Sequence, residues 1–120
     1  MTRVMLKSKI SYPTITDAQL HYKGSITIDV DLMEKADILE YEQVTVLNMN
    51  NGVRLETYAI KGESGSGVIC LNGPSARLGY KGDKIVIMTY SSYDKEELKN
   101  FKPVLVEVDE RNKIKNTRLA

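Results

Sequence analysis

The sequence predicts a mainly β protein, one small closed or nearly closed barrel carrying a few short helices. Three observations lead there. Short apolar stretches recur along the chain, several alternating with polar residues at the period of two that marks a half-buried strand. Glycine-containing turns separate them. The 120 residues make a single domain, 1–120, and in so small a unit about six strands need closure to hide their edges.

The elements follow in order. Ile26, Ile28 and Val30 alternate with Thr27, Asp29 and Asp31 as the first clear strand. Asp31, with Glu34 three residues on, reads as a cap opening one or two helical turns toward Ile38. Residues 44–47 and 55–60 form two strands, and the Asn51-Gly52 pair between them suits the positive φ angles of a tight hairpin. A flexible loop at 63–67 leads to an apolar strand at 68–71, in which Cys70 is expected to be buried and inert. Gly73-Pro74-Ser75-Ala76 suits a short helix with Pro74 at its first position. Gly82-Asp83 turns the chain into a strand at 84–90. Asp94 to Glu97 repeats the cap signature, and that helix should stop near Asn100, ahead of Pro103. Val104, Val106 and Val108 alternate in a last strand, and about residues 110–120 read as a frayed, flexible tail.

Composition excludes several functions. Seventeen Lys and Arg against sixteen Asp and Glu leave a net charge of +1, without the basic excess that nucleic acid or an anionic membrane would need. One cysteine allows no internal disulfide and no multi-cysteine metal site. His21, alone of its type, allows no His-rich metal centre and weakens any Ser-His-Asp reading. No apolar run is long enough for a signal peptide or a membrane span, so the cytoplasm is the expected location.

Three groups could carry chemistry. Tyr22-Lys23-Gly24-Ser25 heads the first clear strand. Arg54, Thr57 and Tyr58 share one strand, with Thr57 on the face of Leu55 and Ala59. Asn72-Gly73 precedes a possible helix start that could offer backbone donors to an anion. Each has a plainer reading: Gly24-Ser25 as an ordinary turn, Arg54 and Lys9 as solvated cations, Tyr58 as an amphipathic barrel residue, His21 as a hydrogen-bonded structural histidine. On the residues alone, a non-catalytic barrel binding a small anion through Arg54 and the Asn72-Gly73 turn stays open.

Longer motifs add to this. The stretch from Met5 to Ile10, then Thr16 through Asp29 with Leu20-His21-Tyr22-Lys23-Gly24-Ser25 at its centre, resembles the N-terminal signature of the pyruvoyl-dependent aspartate 1-decarboxylases. So do Asn51-Gly52-Val53-Arg54-Leu55-Glu56-Thr57-Tyr58-Ala59-Ile60, Cys70-Leu71-Asn72-Gly73 and Gly82-Asp83-Lys84-Ile85-Val86-Ile87-Met88. The similarity runs in order over about residues 1–110.

The resemblance implies a double-psi β-barrel that cuts itself after folding between Gly24 and Ser25, into 1–24 (the β chain) and 25–120 (the α chain). Ser25 would become a covalent pyruvoyl group, the cofactor, with no metal and no pyridoxal phosphate. Its ketone would form a Schiff base with the substrate amine and accept the electron pair left when carbon dioxide departs. Thr57 would assist the cut, and Tyr58 would reprotonate the former α-carbon, since a phenol keeps its proton at neutral pH. Lys9, Arg54, Thr57, Asn72, Gly73, Pro74 and Ser75 would bind L-aspartate, whose two carboxylates need positive partners. The product, β-alanine, would feed pantothenate and coenzyme A synthesis. The partners implied are L-aspartate, further copies in a tetramer with active sites between subunits, and a helper protein for maturation; no nucleic acid and no membrane. The sequence departs from the family pattern twice: Ser11 stands where histidine is usual, and Pro74-Ser75 where small residues, usually alanines, follow the Asn-Gly turn. Pro74 lacks an N–H to offer substrate. A pyruvoyl decarboxylase of another amino acid is the second alternative.

Overall fold

The computed structural model describes residues 1–119. In chain order they form β1 (Arg3–Thr14), β2 (Asp17–Gln19), β3 (Ile26–Asp29), α1 (Val30–Lys35), β4 (Gln43–Asn48), β5 (Arg54–Gly62), β6 (Ile69–Asn72), a 3-10 turn (Gly73–Arg77), β7 (Lys84–Tyr93), α2 (Lys95–Leu98), β8 (Val104–Val108) and β9 (Ile114–Leu119). The strands make one mixed sheet in the order β2-β6-β3-β5-β4-β7-β1-β8-β9. The mainly β expectation is met, and the arrangement is that of a small barrel.

Curvature comes from β1. Its antiparallel register with β7 slips between Leu6 and Ser8 and again between Ser11 and Thr14, and such bulges bend a strand. Beyond the second slip the chain turns a corner at Ile15 and Thr16. Ile15 N–H donates to the Asp83 carbonyl (2.9 Å), and Thr16 N–H to that of Ile69 (2.8 Å). One corner thus ties the start of β7 to the start of β6 and draws distant parts of the sheet together. Inside lie Ile10, Ile15, Ile26, Ile28, Leu32, Val44, Val46, Ile85, Ile87 and Val106, all essentially inaccessible. Each such side chain contributes about 1.5–3 kcal/mol by leaving water.

β1 is the longest strand and gives little alternation in sequence. Its inward Ser8 is polar, and is satisfied inside by a hydrogen bond shared with Thr89 (2.6 Å). The first helix is capped by Asp29, not Asp31. The strand ends one residue earlier than alternation suggests, and Asp29 Oδ1 accepts from Asp31 N–H at 2.9 Å. The same buried carboxylate accepts from Gly65 N–H (3.2 Å) and Gly67 N–H (2.8 Å), so the glycine-rich loop is pinned to it. The second capping box forms as expected, with Asp94 and Glu97 bonded reciprocally. The β4–β5 connection is longer than a two-residue hairpin, because Asn48 N–H closes it onto Val53 O (2.8 Å), with Gly52 at φ +76° inside.

The segment expected to be a frayed tail is a strand. β9 pairs antiparallel with β8 from Ile114↔Val108 to Leu119↔Val104. Asp109 organises the turn before it, accepting from Lys113 N–H (3.0 Å) and Arg111 N–H (2.8 Å), and these bonds hold its carboxyl below the usual range. Asn112, buried at φ +60°, fastens the turn to the barrel. Its Nδ2 donates to Thr14 O and Gly67 O, both at 2.8 Å, and its Oδ1 accepts from Thr14 N–H at 2.7 Å. Charge along 109–113 suggested solvation, but a single amide making three bonds to other segments outweighs it. Asn112→Ala is expected to lower stability by about 2 kcal/mol, because it strands backbone groups at the end of β1 and in the glycine-rich loop. Urea denaturation checks this; an unchanged midpoint would contradict it.

Candidate active site

The centre of the site is set by two neighbouring strands. β3 and β6 run antiparallel with Thr27 opposite Cys70 and Ile26 opposite Leu71. One step further, Asn72 N–H donates to Ser25 O at 2.9 Å. Because side chains two apart share a face, Ser25 and Thr27 on one strand meet Cys70 and Asn72 on the other. The Asn72 amide occupies the middle. Its Nδ2 donates to Ser25 Oγ (3.0 Å) and Thr27 Oγ1 (2.9 Å), and its Oδ1 accepts from the Cys70 thiol (3.2 Å). Ser25 is 1% exposed and Asn72 2%. Leaving that amide unpaired inside would cost about 1–3 kcal/mol, so the network holds its geometry firmly.

Ser25 has φ +108°, far from the regions open to a residue with a side chain. Such a conformation costs of order 1–3 kcal/mol and persists only where the surroundings impose it. Two features impose it here. Asn72 grips both the carbonyl and the hydroxyl of Ser25, as above. Gly73, at φ +63°, packs so close beneath the preceding residue that a Cβ there would lie 2.8 Å from Tyr22 O and 3.0 Å from both Gly24 N and Gly24 Cα. Gly24 itself has open space where its own side chain would be.

β5 flanks β3 on the other side, in parallel, with Ile26 opposite Ala59. Thr57 and Tyr58 stand two and one positions before Ala59, as Gly24 and Ser25 stand before Ile26. Thr57 is half-buried, on the face of buried Leu55 and Ala59. Tyr58 is 36% exposed on the opposite face, its ring centroid 6.2 Å from that of Tyr41. Tyr41 is held at φ +71°, its N–H donating to Ala59 O at 2.7 Å.

The other expected site residues lie apart from this cluster. Arg54 opens β5 opposite Leu47, four residues and about 13 Å along the strand from Tyr58. It lines an outer cavity of about 220 Å³ with Val4, Gln43, Thr45, Glu56 and Tyr90. Lys9 lies on β1 opposite Met88 and Leu105. β1 is three strands from β5 in the sheet, about 14 Å at the usual spacing. Exposed Pro74 and half-buried Ser75 follow Gly73 in the 3-10 turn, with Pro74 second in it and not first. Ser11 is half-buried on β1 opposite Val86. His21 is exposed in the loop before Gly24.

Thr27, Cys70 and Tyr41 contact the expected site residues and were not singled out as site residues from the sequence. For Thr27 and Cys70 a signal existed, since each stands two residues from a named site residue on a strand. Nothing in the sequence pointed to the left-handed Tyr41.

Comparison with known proteins gives the family. The family described as aspartate decarboxylase matches residues 1–115. An aspartate 1-decarboxylase of Acetivibrio thermocellus is 59% identical over 114 residues, covering 95% of this chain and 90% of the relative. One from Thermoanaerobacter pseudethanolicus is 59% identical over 113 residues, covering 94% and 97%. One from Syntrophus aciditrophicus is 56% identical over 116 residues, covering 97% and 100%. With a match of this extent around a strained glycine–serine link, the chain belongs to the aspartate decarboxylase family.

Proposed function

We propose that the protein cuts its own Gly24–Ser25 bond and then converts L-aspartate to β-alanine and carbon dioxide. The observation that carries the proposal is the φ of +108° at a buried Ser25 whose hydroxyl is already hydrogen-bonded. The torsion is about the N–Cα bond beside the link to be broken, so cutting that link releases the strain.

The processing chemistry balances with one water. Ser25 Oγ bonds to the Gly24 carbonyl carbon as the C–N bond breaks, the hydroxyl proton passing to the freed nitrogen. The amide becomes an ester. Loss of the Ser25 α-hydrogen then expels Oγ with Gly24 as a carboxylate. The enamine left on residue 25 takes up water, releases ammonia and becomes a pyruvoyl group. Negative charge gathers on the Gly24 oxygen in the first step and on Oγ in the second. The Thr57 hydroxyl serves the first, and Asn72 Nδ2, already 3.0 Å from Oγ, serves the second.

The residues fit such a group at position 25. The position is buried and carries an amide N–H donor, and it is shielded by the backbone contact with Gly73. Once formed, the pyruvoyl ketone supplies an electron sink for decarboxylation of a bound amino acid. Tyr58, on the strand beside β3, holds the proton delivered to the former α-carbon. Arg54 offers a planar fork for a carboxylate. Lys9 would complete the carboxylate pocket, and by the family resemblance the sites are shared between copies in a tetramer. The same dependence on folding geometry leaves a role for a maturation helper.

Incubating the cut protein with L-aspartate tests the reading. β-Alanine and carbon dioxide are expected in equal amounts, and none from Ser25→Ala. Borohydride added with aspartate should fix the substrate to the fragment that begins at residue 25. Cut protein that yields no β-alanine would overturn the substrate assignment, and release of carbon dioxide from a different amino acid would replace it.

A further inference from the structure

The reading above gives Asn72 Nδ2 the task of facing Ser25 Oγ, but nothing in the serine enforces that choice. Ser25 and Thr27 hydroxyls each donate or accept, so both would tolerate an Asn72 amide turned end for end. The group that distinguishes the two orientations is Cys70. Its thiol lies 3.2 Å from Asn72 Oδ1, two residues back on the same face of β6 and directly opposite Thr27. A thiol donates to a carbonyl oxygen far better than its sulfur accepts from an amide, so a turned amide loses this contact. Burial first, and the nearby Asp17 carboxylate second, push the Cys70 thiol up from its usual value, outweighing a backbone bond from Gln19, so the S–H stays in place as a donor at neutral pH.

We infer that Cys70 is a positioning residue for the self-cleavage, turning the Asn72 amide so that its N–H and not its carbonyl meets Ser25 Oγ. The consequence is chemical. Oγ gives up its proton in the first step and leaves as part of a carboxylate in the second. An N–H at Oγ stabilises the charge that gathers there in the second step, when the fragments part, whereas a carbonyl there opposes it. The inference rests on the proposed self-cleavage and adds the residue that sets its rate.

The test compares Cys70→Val, which keeps approximate volume and removes the donor, with Cys70→Ser, which keeps a donor. Uncut precursor is produced in cell-free translation, and fragments 1–24 and 25–120 are followed by denaturing gel, with thermal melting alongside. Cys70→Val is expected to cut about tenfold more slowly than wild type. Cys70→Ser should cut within about threefold of wild type, although it packs less well, and that rescue separates orientation from packing. Cys70→Ala carries the same expectation as Cys70→Val if the latter does not fold. Equal cutting rates for Cys70→Val and wild type would overturn the inference, as would slowing of Cys70→Ser to the rate of Cys70→Val. A wild-type chain that never cuts would instead remove the self-cleavage reading beneath it.

Discussion

Gly73→Ala is expected to leave most of the protein uncut, with the first-order rate of cleavage down by about a hundredfold or more. The new methyl would stand 2.8 Å from Tyr22 O and 3.0 Å from the N and Cα of Gly24. These are backbone atoms, Gly24 Cα being bonded to the carbonyl carbon of the link to be broken, and they have no rotamer by which to withdraw. The φ of +63° adds a penalty of roughly 1–2 kcal/mol for any residue with a Cβ. The loop would move, and Ser25 would lose the conformation that presents Oγ to the Gly24 carbonyl. Melting should fall as well, by roughly 10 °C if the clash costs a further 1–3 kcal/mol. Gly24→Ala is the informative control, because a Cβ there meets nothing within 4 Å. It should cut far faster than Gly73→Ala. A Gly73→Ala chain that cuts at the wild-type rate would remove the steric argument.

Tyr58→Phe should separate the two chemistries of the site. The proposed cut uses Thr57 and Asn72 and not the Tyr58 hydroxyl, so fragments should appear at the normal rate. Turnover of L-aspartate should fall by about 10²–10⁴-fold, the usual contribution of a positioned proton donor. The ring stays against Tyr41, and the side chain is already 36% exposed, so stability should change by less than about 0.5 kcal/mol. Steady-state assay of β-alanine per cut chain checks this. Full turnover by Tyr58→Phe would assign the proton to another group, whereas a variant that fails to cut would place Tyr58 in processing.

What the sequence revealed, and what it hid, follows from where each residue's partner lies. β3 was legible because Ile26 and Ile28 are buried alternately, and α2 because its capping box closes within four residues. β1 was hidden by a buried serine whose partner, Thr89, is 81 residues away. The C-terminal strand was hidden because charge along 109–113 signals solvent, while the anchoring bonds of Asn112 reach 45 and 98 residues back.

The site divides in the same way. Resemblance supplied Gly24, Ser25, Thr57, Tyr58, Asn72 and Gly73, and the structure puts these just before β3, on β5, at the end of β6 and at the start of the 3-10 turn. The hydrogen bond that makes Asn72 matter spans 47 residues and has no local signature. Lys9 and Arg54 were legible as cations suited to carboxylates, but no spacing rule gives their distance from Ser25. The sheet order sets Lys9 apart from Ser25, and Arg54 lies four residues along β5 from Tyr58.

The central claim is that the strained link before Ser25 breaks and leaves a keto group. Intact mass spectrometry of the purified protein under denaturing conditions tests it most directly. The account predicts two chains, 1–24 and 25–120, the larger lighter by one ammonia than a fragment that begins with serine, and a single full-length chain for Ser25→Ala. A wild-type protein that stays full length after prolonged incubation, or a larger fragment that still begins with serine, would contradict it.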